Sequence, residues 1–415
     1  MKKVIIIIVV LVIIGAGIYF WVIPNFMQPS YVELSKLPAY PAIPLPETPP
    51  ATGTNTQTFI ENALNSVPGR NVATDGETAS KILKSMDYQA AQNLLPLIDQ
   101  YNQSFNELRQ AVNADYNIIP PDFRPERRIP NFLRAQIMGK LLAVKGMGLE
   151  NQGKLNEAVD AYLLAAQTGS VFAGKNTTLI QKLIGMALEK IAYKPLKQYV
   201  LNHPNDTENL KRIITTLEKA EQKRLPIAEA FISEQRSVQY LAENYKQYAK
   251  TDKDLAQLRT RDIPRIKFES DKIYGYLISM YDLPYPQYKK EYSDEKIVRI
   301  LKEVHPLLQI AVPNFLEAHV RNLTSATDNR LIRIMAAIQL YHAEKNTYPT
   351  SLSELTPNYL TAVPKDYFND AEFIYGTRDN SFYLYSLGPD MKDNQEQPVY
   401  DPTNGTTSIG DIIGK

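Results

Sequence analysis

Residues 331–350 read LIRIMAAIQLYHAEKNTYPT, and this stretch decides how the C-terminal quarter of the chain folds. Its apolar residues recur every three or four positions, which is the spacing of one face of an α-helix. They are Leu331, Ile334, Met335, Ile338 and Tyr341. The pattern predicts one helix over residues 314–346, about 50 Å long at 1.5 Å per residue. Tyr348-Pro349-Thr350 ends this helix, because proline cannot continue it.

Beyond the helix, the sequence predicts a short helix and then a small antiparallel sheet. Residues 351–355 favour the short helix. Residues 372–375 and 381–386 have the composition of strands, and the four residues between Gly376 and Ser381 join them as a hairpin. A long helix lying on a small antiparallel sheet is an α+β arrangement. An acidic loop follows the second strand.

Three groups of residues occur here in a fixed order: the run 336–350, the group Val363-Pro364 with Asp366, and the run 382–390. In order and spacing they resemble the C-terminal domain of the major pseudopilin of bacterial type II secretion systems, over about residues 325–413. The resemblance implies that the Tyr-Pro-Thr motif ends the long helix and that Tyr-Ser-Leu-Gly-Pro-Asp follows a strand. It also implies that the acidic loop binds calcium through Asp side chains and backbone carbonyls.

The candidate calcium ligands that the resemblance implies are Leu387, Asp390, Asp393, Asp401 and Asp411. Asp390 matches the family's Asp after Gly-Pro. Asp411 matches the closing acidic element, where the family has two Asp residues and this chain has Gly410-Asp411; Asp393 and Asp401 are predicted to compensate. Calcium takes about six to eight oxygen ligands, which these carboxylates and nearby carbonyls are able to supply. The alternative interpretation is an acidic surface loop without a metal.

The N-terminus departs from the family pattern. A pseudopilin begins with a short basic leader, a peptidase cleavage site and a Glu near the start of its apolar helix, whereas residues 1–23 contain neither a Glu nor such a site. In a pilin, the apolar segment is also continuous with the long helix, and here some hundreds of residues separate them. The chain is therefore predicted not to polymerise as a pilin.

Residues 4–23 are apolar apart from Gly15 and Gly17, and a helix of this length matches the hydrocarbon core of a bilayer. Lys2 and Lys3 precede it, which predicts a single-pass anchor with a cytoplasmic N-terminus and the rest of the chain outside. A cleaved signal peptide is the alternative, but its apolar core is usually shorter. The Pro-rich residues 25–54 are predicted to be a semi-rigid spacer, with a recognition site for a Pro-binding groove as the alternative.

Residues 55–313 carry the 3.6-residue period almost throughout, which predicts an all-α helical body. The predicted helices include 132–151, 155–168 and 178–200, with a turn at Gly153. A longer helix is predicted over residues 207–249, with a bend at Pro226.

Six tyrosines lie between residues 274 and 292, and two interpretations of them stay open. They form either an amphipathic binding surface or the packing of an irregular loop against the body, and the second is favoured. They are Tyr274, Tyr276, Tyr281, Tyr285, Tyr288 and Tyr292.

Composition excludes several classes of protein. The 415 residues include no Cys and only four scattered His, which argues against disulfides, thiolate metal sites and most zinc sites. The net charge of +1 gives no electrostatic reason to expect a nucleic-acid partner. The charge is divided unevenly: residues 325–415 are net acidic and the remainder is net basic, which favours contact between them, though weakly in salt.

The sequence contains no Gly-x-Ser-x-Gly motif, phosphate-binding Gly-rich loop or His-Glu-x-x-His motif, and we predict that the protein is not an enzyme. The predicted fold is mainly α, with a transmembrane anchor (residues 1–24), a Pro-rich linker (25–54), a helical body (55–313) and a pseudopilin-like α+β domain (314–415). The predicted function is that of a scaffold or binding protein anchored in a bacterial inner membrane, with protein partners in the cell envelope. The alternative is an envelope hydrolase or carbohydrate-binding protein that uses the tyrosine cluster.

Overall fold

The computed structural model describes residues 34, 37, 46–68, 72–124, 131–249, 255–281, 283–291, 294–311, 315–401 and 408–415. Within these residues, no helix combines the length and the apolar composition that a bilayer crossing requires. The predicted anchor, residues 4–23, and most of the Pro-rich linker lie outside the described residues. The predicted fold class is corrected accordingly to a mainly helical chain with a small antiparallel sheet, and the membrane anchor and the inner-membrane location are not retained.

Contacts within the chain divide it into two compact units. The first comprises the described parts of Glu47–Pro121, Pro130–Ile227 and Val320–Lys415; the second comprises those of Met1–Pro46, Asp122–Ile129 and Ala228–His319. The first eight helices belong to the first unit. They are α1 (Thr56–Asn65), α2 (Val72–Ser85), α3 (Tyr88–Ile98), α4 (Asn102–Val112), α5 (Phe132–Asn151), α6 (Leu155–Phe172), α7 (Leu179–Asn202) and α8 (Thr207–Lys223), with a 3-10 turn at Asp99–Tyr101. The predicted division of the chain into four parts stays a prediction.

Local sequence explains where several of these helices begin and turn. The Thr178 hydroxyl accepts from the Gln181 amide at 3.2 Å, and the Gln181 side chain accepts from the Thr178 amide at 3.1 Å. This capping box begins α7. Gly153, between α5 and α6, has a φ of +72°, which glycine adopts without strain, as the predicted turn requires. The helix predicted over 132–151 is confirmed, and those predicted over 155–168 and 178–200 extend a few residues further.

Six further helices belong to the second unit. They are α9 (Ala228–Glu243), α10 (Tyr245–Tyr248), α11 (Ile263–Tyr281), α12 (Tyr285–Glu291), α13 (Asp294–Glu303) and α14 (Pro306–Ala311), with 3-10 turns at Leu255–Gln257 and Thr260–Asp262. The prediction of one bent helix over residues 207–249 is wrong, because α8 ends at Lys223 and α9 begins at Ala228. Pro226 lacks a backbone N–H and disfavours the helical conformation of the residue before it, so the helix breaks rather than bends.

The C-terminal segment contains a long helix and a three-stranded sheet. Helix α15 (Phe315–Lys345) is followed by a 3-10 turn (Leu352–Leu355) and strands β1 (Ile374–Arg378), β2 (Ser381–Ser386) and β3 (Ile412–Ile413). The strand order is β1-β2-β3 with antiparallel pairing throughout. The predicted long helix is confirmed, and so is the pairing of two strands as a hairpin, with the second strand at 381–386. The first strand lies at Ile374–Arg378 instead of 372–375, so the connection is the two residues Asp379-Asn380 and not the four that were predicted. Strand β3 was not predicted, because two residues are too few for a recognisable pattern.

Helix α15 is enclosed on more than one face. Four residues of the predicted apolar face, Leu331, Ile334, Met335 and Ile338, have no exposed surface, while the fifth, Tyr341, is half-buried. Ile332 and Ala336, which point elsewhere around the helix, also have no exposed surface. A Cβ atom added to Gly414 would lie 3.3 Å from a methyl carbon of Leu331 and 3.4 Å from one of Leu384, so this face of α15 packs against β2 and the chain end. Another face of α15 meets helices α7 and α8 within the same unit.

Candidate functional site

The acidic loop lies between β2 and β3, and the pairing of these strands brings its two ends together. Ser386, the last residue of β2, is the register partner of Ile412 in β3. Asp411 therefore returns beside the start of the loop, although it is 21 residues beyond Asp390 in the chain. The Asp411 amide donates to the Pro398 carbonyl at 3.1 Å, and the Asp411 carbonyl accepts from the Tyr400 amide at 2.9 Å.

Asp411 is the most deeply buried of the five predicted ligands, with no exposed surface. Its Oδ2 accepts from the Glu396 amide at 2.8 Å, and its Oδ1 accepts from the Asn394 amide at 3.4 Å. The pKa of the Asp411 carboxyl is raised above its ordinary value. Burial is the largest cause and the negative charges of Asp393 and Asp390 add to it, while the two backbone hydrogen bonds oppose it. Three carboxylates therefore act on one another across this loop.

The carboxylates of Asp390 and Asp393 accept hydrogen bonds from backbone amides and, at Asp393, also from a tyrosine hydroxyl. Asp390 accepts from the Lys392 amide at 3.1 Å and from the Gly410 amide at 3.2 Å. Oδ1 of Asp393 accepts from the Tyr385 hydroxyl at 3.0 Å and from the Gln395 amide at 2.9 Å. Burial and the hydrogen bond to Asp393 raise the pKa of the Tyr385 hydroxyl.

The remaining two predicted ligands are placed by other contacts. The Leu387 amide donates to Oδ2 of Asp366 at 3.3 Å, and Asp366 is itself buried and accepts from the Phe368 amide at 3.1 Å. Asp401 is exposed, and its amide donates to Oγ of Ser408 at 2.9 Å.

The charge of this loop suits a cation, but its donor atoms are not arranged as a metal site in the part of the chain that the structure describes. No cluster of three or more acidic or histidine side chains there is positioned to hold a metal ion. The carboxylate oxygens of Asp390 and Asp411 face backbone amides instead. Calcium binding therefore stays a prediction.

Most of the described tyrosines of the cluster at 274–292 are buried rather than presented to a ligand. Tyr274 and Tyr288 have no exposed surface, and Tyr276 and Tyr285 are also buried. Tyr292 lies outside the described residues. The burial favours the interpretation that these side chains pack the interior of their unit.

A polar seam between α7, α8 and α15 was not found from the sequence. Glu189 of α7 accepts from Arg224 at 2.6 Å and from the Ser325 hydroxyl. Arg333 of α15 donates to Glu221 at 2.5 Å and to Glu218 at 2.9 Å. The paired residues are 35 to 136 positions apart in the chain, so no local pattern marks them. The polar residues in the first half of α15 were the available signal.

A small cleft opens beside this seam. It is lined by Gly169, Ser170, Ala173, Lys182, Met186, Glu189 and Arg224. It has room for about one water molecule and none for an organic substrate. Lys182 spans one side of it and donates to the Leu225 carbonyl at 2.7 Å.

Comparison of the chain with protein-family models, with curated proteins and with solved structures finds no match.

Proposed function

We propose that this chain is a non-enzymatic binding protein that makes protein contacts through its C-terminal segment, in an assembly related to type II secretion or to pilus-like filaments. The observation that carries the proposal is the order of elements from Phe315 to Lys415. A 31-residue helix is followed by a small antiparallel sheet. Tyr348-Pro349-Thr350 lies directly after the helix, and Leu387-Gly388-Pro389-Asp390 directly after β2, as the resemblance to a pseudopilin implies.

The buried helix restricts which surfaces of this segment are able to take part in such contacts. The residues of α15 from Leu331 to Ile338 are buried, and Arg333 is engaged by α8. This half of α15 is therefore already covered within its own unit and is not available to pack into a filament.

The acidic loop leaves two large apolar side chains exposed. Val399 is 53% exposed and Ile409 is 58% exposed. The backbone positions of Val399 and Asp411 form a bridge, and Ile409 lies two residues before Asp411 in the chain. Exposed apolar side chains at the rim of an acidic loop are typical of a protein contact rather than of a small-molecule pocket.

The test is direct binding of the purified full chain to purified head domains of type II secretion pseudopilins, measured by surface plasmon resonance. We expect at least one head to bind, and we expect Val399→Asp with Ile409→Asp to weaken that binding at least tenfold. Leu133→Asp, at a side chain that is 57% exposed on α5, is the matched control and should leave the affinity unchanged.

No binding of any head by the parent chain would contradict the proposed function. Equal loss in the Leu133→Asp control would contradict the proposed surface.

A further inference from the structure

Strand β1 is an edge of the sheet that the structure describes. The strand order is β1-β2-β3, and β1 pairs with β2 alone in this sheet. The pairing runs from Ile374 to Arg378 without a bulge. The strand contains neither proline nor lysine, the residues that often protect an exposed edge from pairing with another chain. The composition and regularity of β1 therefore permit a further strand to pair with it.

The backbone groups of Tyr375 and Thr377 point away from β2. The Leu384 amide donates to the Lys415 carbonyl, and the Leu384 carbonyl accepts from the Gly414 amide, each at 2.9 Å. The amide and carbonyl of one strand residue point to the same side, so those of Leu384 face away from β1. Tyr375 is the register partner of Leu384, so its own amide and carbonyl face the outer edge of β1. Those of Thr377, two residues further on, face the same way.

These outward backbone groups are unpaired and accessible. Among the residues that the structure describes, no group bonds to the amide or the carbonyl of Tyr375 or Thr377. Thr377 is exposed and Tyr375 is half-buried. The Tyr375 side chain is engaged elsewhere, because its hydroxyl donates to the Pro349 carbonyl at 2.7 Å. An edge strand with unpaired amides and carbonyls is a template for the addition of another strand.

Opposite charges lie at the two ends of this edge. Glu372, two residues before β1, is exposed and belongs to no ion pair within the described part of the chain. Arg378, the last residue of β1, pairs with Glu396 at 2.9 Å, but its side chain is 62% exposed. An arginine has about five N–H donors, so Arg378 is able to bind a second carboxylate. An edge with an anion at one end and a cation at the other is complementary to an antiparallel copy of itself.

We propose that the β1 edge binds a second copy of the chain as an antiparallel strand, around a two-fold axis at Tyr375. Glu372 and Arg378 are equally far from Tyr375 in the chain, so this axis sets Glu372 of either copy opposite Arg378 of the other. An axis at Gly376 would also pair the outward groups, but it would set Arg378 opposite the uncharged Ile374. The charges therefore select the axis at Tyr375.

The backbone groups match in the same register. The amide and carbonyl of Tyr375 face those of Tyr375 in the second copy, and those of Thr377 face Phe373, which follows the same alternation. A strand pair of this length buries little surface, so the dimer is weak and reversible. It uses neither Val399 nor Ile409, so the self-association and the proposed binding of other proteins are able to fail separately.

The experiment measures the self-association of the full chain by analytical ultracentrifugation. We expect a reversible dimer of the parent at concentrations up to about 100 µM. Thr377→Pro removes the outward N–H without removing a bond to β2, and it should weaken the dimer about tenfold or more. Thr377→Ala is the matched control, since it changes the same side chain but keeps the N–H, and it should dimerise like the parent.

Charge reversal tests the register. Glu372→Arg and Arg378→Glu, made singly, each bring like charges together and should weaken the dimer. The two changes made in one chain restore opposite charges and should recover the association of the parent.

Three results would overturn the proposal. They are a parent chain that stays monomeric, a dimer that Thr377→Pro leaves unchanged, and a double charge reversal that recovers nothing. If the parent is monomeric but Thr377→Pro loses binding to a pseudopilin head, the edge binds another protein and the dimer is refuted.

A second measurement leaves the β1 backbone unchanged. The chain has no cysteine, so Ala371→Cys gives a single site for a nitroxide spin label on an exposed residue just before Glu372. With the axis at Tyr375, the two labelled Cα atoms are about 26 Å apart at 3.3 Å per residue, whereas the axis at Gly376 gives about 33 Å. Double electron–electron resonance measures this distance. The longer distance would refute the register, and the absence of any distance between copies would refute the strand pair.

Discussion

His319, near the start of α15, is enclosed by aromatic rings. The centroid of its imidazole lies 4.5 Å from that of Tyr288, 4.6 Å from that of Tyr281 and 6.1 Å from that of Tyr285. Neither ring nitrogen has a hydrogen-bond partner among the described residues, and the side chain is only 4% exposed. Burial lowers the pKa of His319 to about 3, so the native state holds the neutral imidazole.

The pKa of His319 predicts a loss of stability in acid. An unfolded histidine titrates near a pKa of about 6.5, so between that pH and about 3 the unfolded state binds a proton that the native state does not. The contribution of His319 is therefore fully present above pH 6.5 and falls by about 1.4 kcal/mol per pH unit below it. Denaturant titrations across this pH range measure the slope. His319→Phe removes this titrating group, so the slope of unfolding free energy against pH should fall by the amount for one proton, about 1.4 kcal/mol per pH unit. Tyr281→Phe should keep the slope of the parent. Equal slopes in the parent and His319→Phe would contradict the prediction.

The prediction that the acidic loop binds calcium is tested at Asp411. A buried carboxylate beside Asp390 and Asp393 is costly when ionised, and a bound cation would offset that cost. We expect millimolar calcium to raise the melting temperature of the full chain above its value in chelator. Asp411→Asn should remove this response, while Asp379→Asn, in the exposed β1–β2 turn, should keep it. A melting temperature that calcium leaves unchanged would show that the loop binds none.

At the scale of elements, the crossing of α6 and α7 depends on two glycines. A Cβ atom on Gly169 would lie 2.6 Å from the Gly185 carbonyl oxygen and 2.7 Å from the Glu189 amide nitrogen. Both obstacles are backbone atoms, so the helices would have to separate to admit even one methyl group.

Gly169→Ala is therefore expected to lower the free energy of unfolding by about 3 kcal/mol. Gly153→Ala is the control, because a Cβ there meets nothing within 4 Å and the change costs only the strain of a φ of +72°, about 1 kcal/mol. Chemical denaturation measures both variants. A Gly169→Ala variant no less stable than Gly153→Ala would contradict the close crossing.

The contact of α15 with α8 depends on buried charge. The Arg333 side chain is 5% exposed and pairs with Glu218 and Glu221, and Arg330 also pairs with Glu221 at 2.7 Å. Removing one member of a buried ion pair leaves its partner buried without a counter-charge. The free energy lost in this way is larger than the net stabilisation that the intact pair contributes.

Arg333→Met should consequently destabilise the protein by about 3 kcal/mol. Arg378→Met removes an exposed pair with Glu396 and should cost less than about 1 kcal/mol. Urea unfolding of the two variants gives the comparison. Similar small losses in both would mean that the Arg333 pairs are no stronger than a surface salt bridge.

At the scale of the whole molecule, the C-terminal segment from Val320 onward shares a compact unit with α1 to α8. Residues 314–415 in isolation would expose the face of α15 that carries Arg333 and Asn329, together with fully buried apolar residues such as Ile332 and Ala336. A fragment of these residues should lack a cooperative melt and a near-UV circular dichroism signal that the full chain has. A fragment that melts cooperatively would show that the segment folds independently.

The net charges of the two regions did not predict how they meet. The acidic C-terminal segment and the basic remainder were expected to attract through opposite net charge. Ion pairs of both senses join the two regions instead: Arg330 and Arg333 of the acidic segment pair with Glu218 and Glu221, whereas Lys197 of the basic remainder pairs with Asp328. Net charge averages over exposed side chains that salt screens, whereas these pairs depend on a few buried positions.

The sequence alone determined several of the local elements of this protein. The apolar spacing from Leu331 to Tyr341 and the proline at 349 placed α15 to within a residue or two, since helix period and proline geometry are properties of neighbouring residues. Only the tertiary structure decided that α15 is covered on a second face and that Tyr285 and Tyr288, next to His319, are buried. Those results depend on the packing of residues far apart in the chain, which leaves no period or motif in the sequence.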